Sequence, residues 1–216
     1  YDEYDNLSFV LTPKMEPGTE TLTNIKNLMD DLGYKYVYDG RNRLIEKKLP
    51  GKGREVFVYD KLDRPIMTQD TLQYQSGEWL FTKYDVHDRV AYTGKAVDNR
   101  ERSDIQDSAD STSGNLWVTK TTLDQNTSFT DNVVIFYDNA AYPSSSVSEV
   151  FTINYYDNLA FGISVPSFQT AFGVTSDSNR LQGLATGNRV KVLDQVPSKW
   201  ITTISYYDNR ARPIYV

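Results

Sequence analysis

The sequence predicts a mainly β chain, an antiparallel sheet of successive Tyr-Asp-repeat hairpins, open or partly spiralled, with one short helix near residues 22–32. Three observations carry that prediction. The stretches "YVYDGRNRLIEKKL", "FVYDKLDRPIMTQD" and "KYDVHDRVAYTGK" follow one another and share Tyr-Asp, three variable residues, Arg and an apolar residue. Eight tyrosines (Tyr1, Tyr4, Tyr38, Tyr59, Tyr84, Tyr137, Tyr156, Tyr207) are followed directly by Asp, where random placement gives about one or two, so a repeated unit is expected. Runs rich in β-branched and aromatic residues lead into each motif, and an extended pattern resumes after it.

The repeats justify the hairpins. Tyr38 to Tyr59 is 21 residues, Tyr59 to Tyr84 is 25 and Tyr137 to Tyr156 is 19, so the period is loose and inserts separate the later copies. In each copy the Tyr ends one strand and the Asp opens the turn, where its carboxylate accepts backbone N–H groups two residues on. The fifth position is Asn42, Asp63, Asp88 or Ala211. Asn and Asp tolerate a left-handed backbone, so the first three suit a turn with positive φ and Ala211 does not. The arginines that follow, Arg43, Arg64, Arg89 and Arg212, are placed to stack on a tyrosine or pair with the Asp.

The motifs "YDGRNRL", "YDKLDRP", "YDVHDRV" and "YDNRARP" resemble the Tyr-Asp-x-x-Gly-Arg-Leu signature of the RHS or YD-repeat family, with the glycine replaced. The longer run from "YKYVYDGRNRL" to "WLFTKYD", with "GLATGNRVKVLD" and "ITTISYYDNRARPIYV", is similar to the region ahead of the main repeat array of large bacterial RHS-type proteins. The resemblance implies a β-shell wall that encloses a C-terminal, toxin-like polypeptide. It also implies a secreted or cell-surface location and, as partners, neighbouring repeats of a parent chain and an enclosed polypeptide. The repeat-motif residues are then structural: Tyr38, Asp39, Arg43, Tyr59, Asp60, Arg64, Tyr84, Asp85, Arg89, Tyr156, Asp157, Tyr207, Asp208 and Arg212.

The remaining segments are read from pattern. Leu22, Ile25, Leu28, Met29 and Leu32 fall at helical spacing, with Thr21 or Thr23 as N-cap and Gly33 as C-cap, which predicts a helix packed on the sheet. Residues 98–114, "DNRERSDIQDSADSTSG", are polar and without period, which predicts a mobile loop between regular repeats (34–97) and degenerate ones (115–216). Within that last region "LWVTKTTL", "NVVIFYDN", "EVFTINYYDN" and "KWITTISYYDN" read as strands. One domain is expected over 1–216, with two lobes as the alternative, and the chain reads as a piece of something longer.

Composition limits the chemistry. With 23 basic against 29 acidic residues the net charge is −6, which argues against nucleic acid as a partner. No apolar run approaches the length of a membrane span, so no direct membrane insertion is expected. Without cysteine there is neither a disulfide framework nor a thiolate metal site. The one histidine, His87, falls inside a turn and reads as solvated; Asp104, Asp107 and Asp110 miss the spacing of a calcium loop; "GKGRE" and "GLATG" read as turns. The repeated aspartates have a complete explanation as turn formers, so no catalytic residue, metal or cofactor is expected. The competing expectation is a carbohydrate-binding or adhesion module, in which Trp79, Trp117 and Trp200 gather as an exposed stacking face for a glycan. Burial of those rings between hairpins is the favoured alternative.

Overall fold

The computed structural model describes residues 1–16, 18, 21–122, 134–160, 162, 176–195 and 197–215. Ten strands follow in chain order: β1 (Phe9–Val10), β2 (Tyr34–Tyr38), β3 (Leu44–Lys48), β4 (Arg54–Tyr59), β5 (Pro65–Asp70), β6 (Glu78–Tyr84), β7 (Val90–Val97), β8 (Val147–Tyr156), β9 (Ala185–Val192) and β10 (Lys199–Ile204). Their order in the sheet is their order in the chain, antiparallel and not closed into a barrel. Short turns join β2 to β3, β3 to β4, β4 to β5 and β6 to β7, whereas 20 or more residues of sequence separate β1 from β2, β7 from β8 and β8 from β9. Among the described residues the last two strands, β11 (Tyr206–Tyr207) and β12 (Pro213–Tyr215), form a separate two-stranded sheet. In β2–β3, β4–β5 and β11–β12 the register slips by one residue beside Tyr38, Tyr59 and Tyr207, leaving Ile45, Ile66 and Ile214 as extra residues. Such a bulge adds twist next to the turn.

The chain, expected as one domain, divides into two compact units, Tyr1–Leu80 with Val97–Thr112, and Phe81–Ala96 with Ser113–Val216. In the first, Val56, Val58, Ile66, Met67, Trp79, Ile105 and Ala109 are buried. Helix α1 (Leu22–Leu32) forms where the apolar spacing predicts, with Thr21 accepting from the Asn24 N–H. It contributes no buried residue, so it is a surface helix; Asp30 meets Lys48 of β3 at 2.7 Å. A second helix, α2 (Thr71–Ser76), is unforeseen: Asp70 and Gln73 form a reciprocal capping box, and Gly77 ends it at φ 66°.

The predicted mobile loop at 98–114 is corrected, since α3 (Arg102–Ser111) occupies it. Its acids and serines conceal a narrow inward stripe of Ile105, Gln106 and Ala109. Gln106 acts like a strand partner: Nε2 donates to the Tyr59 carbonyl at 2.8 Å, and Oε1 accepts from the Tyr59 N–H at 2.9 Å. That satisfies a backbone pair at the bulged end of β4, where a bare peptide unit would carry a desolvation cost.

The second unit is built around aromatic rings. Phe81 meets Tyr92 edge-on at 5.9 Å, Tyr92 lies 6.1 Å from Tyr137, and Tyr137 stacks on Tyr155 at 5.5 Å and 10°. Gly94 lets β7 and β8 close together, for a Cβ there would lie 2.1 Å from the Glu149 carbonyl oxygen and 2.8 Å from the Phe81 ring. "EVFTINYYDN" is strand as predicted. "LWVTKTTL" and "NVVIFYDN" are not: their described residues make one isolated bridge, Lys120 to Tyr137. Ile135, Phe136 and Tyr137 are consecutive and all buried, so this segment does not present alternate faces as a half-buried strand does. Leu123, Asn132 and Val133 of those predictions lie outside the described residues. No helix among the described residues is long and apolar enough to cross a membrane.

Candidate functional site

Four Tyr-Asp turns share one set of bonds. In the Asp39 turn, Oδ1 accepts from the N–H groups of Arg41 at 2.9 Å and Arg43 at 3.0 Å, while Oδ2 accepts from Arg43 Nε at 2.7 Å. The Asp39 N–H donates to the Arg43 carbonyl, and the Asn42 N–H to the Asp39 carbonyl, each at 3.0 Å. Asp60 does the same with Leu62 and Arg64, Asp85 with His87 and Arg89, and Asp208 with Arg210 and Arg212. The fifth residue is left-handed throughout: Asn42 at φ 59°, Asp63 at 62°, Asp88 at 61° and Ala211 at 59°. Ala211 therefore adopts the conformation its type disfavours, held there by the Asp208 and Arg212 bonds on either side.

A fifth copy escapes the Arg-based pattern. Asp2 Oδ1 accepts from the Tyr4 and Asn6 N–H groups, its Oδ2 accepts from the Asn6 amide, and Asp5 sits at φ 62°. Asn6 replaces arginine with a shorter donor. The signal was present in "YDEYDN" as Asp at the fifth position, before a donor-bearing residue.

Successive copies also bind one another. The Tyr59 hydroxyl donates to the Leu44 carbonyl at 2.7 Å, Tyr156 to Val90 at 3.0 Å and Tyr38 to Leu7 at 3.2 Å. Each acceptor directly follows the sixth motif position (Arg43, Arg89 or Asn6) of an earlier copy. The Arg43 guanidinium covers the Tyr59 ring at 4.8 Å, and Arg89 covers Tyr156 at 4.2 Å. Arg43 Nη1 reaches on to Asp63 at 2.8 Å, and Arg89 binds both oxygens of Asp157 at 3.0 and 2.7 Å. One arginine thus closes its own turn, roofs the next tyrosine and pairs with the next acid.

Electrostatics follow from those bonds. Burial works to raise the Asp39 carboxyl, and the bonds from Arg43 outweigh it, so the group titrates below its ordinary value. The Arg212 guanidinium holds Asp208 at about 2, and Arg89 holds Asp157 at about 2. Asp157 is otherwise a different case: it takes φ 72° itself, accepts from the Gly183 N–H at 2.7 Å, and its own N–H goes to Leu184 rather than closing a turn.

The tryptophans do not act alike. Trp79 is fully buried and donates to the Asp98 carbonyl at 3.1 Å, so no sugar can stack on it. Trp200 is half-buried under the Arg189 guanidinium at 5.0 Å, and Trp117 is 37% exposed. His87 is exposed, and its backbone N–H closes the Asp85 turn. Among the described residues no three His, Asp or Glu side chains gather as a metal site. A cleft of about 300 Å³ in the second unit is lined by Lys120, Thr121, Thr122, Phe136, Asn158, Ala160 and Gly162; burial lowers Lys120 to about 8, and its Nζ donates to Asn158 at 2.6 Å.

No protein-family model matches the chain. A search of curated proteins finds no match.

Proposed function

We propose that the chain is a non-catalytic structural segment of a large secreted or cell-surface RHS/YD-repeat protein, lending hairpins to a β-shell around a C-terminal, toxin-like polypeptide. The observation that carries this reading is the occupancy of the motif side chains. Every carboxylate oxygen of Asp39, Asp60, Asp85 and Asp208 is bonded within its own turn, and the arginines and tyrosines extend those bonds to the next copy. A ligand site would keep donors or acceptors directed outward. Here the repeated chemistry is spent on joining hairpin to hairpin, which is what a wall requires.

Limited proteolysis of the full-length protein that carries this segment tests the reading. In the wild type a C-terminal polypeptide survives until the repeat region is cut, and Asp60→Ala exposes it to digestion. If that polypeptide is cut equally fast in both, the segment encloses nothing. The carbohydrate reading rests on Trp117, the one of the three tryptophans with over a third of its surface free. Retention of the chain on a glycan column that is lost in Trp117→Ala would favour it instead.

A further inference from the structure

Lys83 stands where a hydrophobe is expected. On β6 it shares the inward face with Phe81, and it is 1% exposed. Nζ donates to the Asn139 side-chain Oδ1 and to the Ala141 carbonyl at 2.9 Å, and it lies 5.7 Å from the Phe81 ring centre and 5.4 Å from that of Tyr92. A buried lysine ordinarily holds a carboxylate. This one holds an amide.

The amide is itself arranged. The Tyr92 hydroxyl donates to the Asp138 carbonyl at 2.9 Å and can turn its one proton to Asn139 Oδ1, 3.3 Å away, and Asn139 Nδ2 donates to the Ser144 carbonyl at 2.7 Å. The carbon of that amide lies one C=O bond, about 1.2 Å, beyond the oxygen that Nζ touches. Burial lowers Lys83 to about 7 against the opposing charge of Asp138, so a large share of its amine is neutral near pH 7. A neutral amine in a dry pocket is a nucleophile.

We propose that Lys83 and Asn139 become joined by an intramolecular isopeptide bond. Nζ attacks Asn139 Cγ, the Nζ–Cγ bond forms, and the Cγ–Nδ2 bond breaks. One proton passes from Nζ to Nδ2, which leaves as ammonia. Amine plus primary amide gives secondary amide plus ammonia, so the step needs neither oxidant nor co-reactant. Tyr92 polarises the carbonyl and holds the charge that develops on Oδ1, while Ser144 fixes the departing nitrogen. The rings of Phe81 and Tyr92 exclude the water that would protonate the amine or hydrolyse the intermediate. The bond ties β6 to a segment 56 residues away in a chain that has no cysteine for a disulfide. It is independent of what the parent protein encloses.

Intact mass spectrometry of the purified chain in denaturant tests this without any variant. The expected mass is one ammonia below that of the sequence. Trypsin then fails to cut after Lys83, and the digest contains one branched peptide joining residues 83 and 139. Lys83→Met and Asn139→Ala each restore the uncrosslinked mass for their sequence. A wild-type chain of full mass, with Lys83 and Asn139 recovered on separate peptides after prolonged incubation at neutral pH, overturns the proposal. Loss of ammonia that maps to a succinimide at Asn139, with Lys83 free, overturns it equally.

Discussion

Asp85 and Asp157 each follow a tyrosine and each binds Arg89, yet they do different things to the chain. Asp85 closes a turn on itself: two N–H groups reach its Oδ1, and Arg89, four residues on, takes its Oδ2. Asp157 has no arginine four residues on, borrows Arg89 from the earlier copy, adopts φ 72° and pairs its N–H with Leu184. The dipeptide alone therefore does not make the turn. A donor side chain at the sixth position does, and Asn6 in the Asp2 turn shows that the donor need not be arginine. Where it is present the motif is self-contained; in the Asp157 copy, where it is missing, the Asp is a tie between distant segments.

Removing each carboxylate tests that contrast with the largest expected effect. Asp60 is 4% exposed and neutralises Arg64, whose side chain is 11% exposed. Asp60→Ala removes the carboxylate that pairs with the half-buried Arg64 guanidinium and leaves turn N–H groups unpaired, so urea denaturation should show a loss of about 2–3 kcal/mol. Asp157 is 34% exposed at its side chain, and Asp157→Ala should cost about 1 kcal/mol. Equal losses would erase the distinction between a self-contained turn and a tie.

Helix α3 supplies the next test. Gln106→Ala strips both side-chain partners from the half-buried Tyr59 peptide groups and should cost about 1–2 kcal/mol. A chain unaffected by this change would show that the helix merely lies on the sheet.

Acid separates the two kinds of aspartate from the rest of the surface. Asp208 and Asp157 are held at about 2, below an unfolded aspartate, so the folded state binds fewer protons than the unfolded state between those values. Their contribution is complete above about pH 4 and is lost as the pH falls towards 2. Melting temperature followed from pH 5 to pH 2 should fall less steeply in Asp208→Asn than in the wild type. Parallel curves would mean that the Arg212 bonds do not survive in solution.

The smallest effect concerns Ala211, the one fifth-position residue whose type is wrong for φ 59°. Ala211→Asn should raise stability by about 0.5 kcal/mol, whereas the same change at an ordinary exposed alanine should not. A loss on this substitution would place the strain elsewhere in the turn.

How much of this was legible follows from how far apart the partners lie. The Asp-to-Arg turn spans five residues, so its chemistry is visible in "YDGRNR", and the left-handed position announces itself through Asn42, Asp63 and Asp88. The α1 cap at Thr21 is local in the same way. Helix α3 was hidden because its few inward residues include a glutamine whose partner, Tyr59, is 47 residues away. The aromatic stack of Tyr92, Tyr137 and Tyr155 and the contact of Lys83 with Asn139 join segments that no short window contains. The tryptophans could not be sorted from sequence for a related reason: exposure is a property of what covers a ring, and Trp79, Trp117 and Trp200 are covered to three different degrees.

The central claim is that the motif side chains bind one repeat to the next, and a double-mutant cycle on Arg43 and Tyr59 tests it most directly. The guanidinium lies 4.8 Å above the ring and bridges to the Asp60 carbonyl and Asp63. Urea unfolding of the wild type, Arg43→Ala, Tyr59→Leu and the double variant should give a coupling energy of at least about 0.5 kcal/mol between the two copies. Additivity within about 0.3 kcal/mol would contradict it, showing that the guanidinium over the ring does not couple one copy to the next.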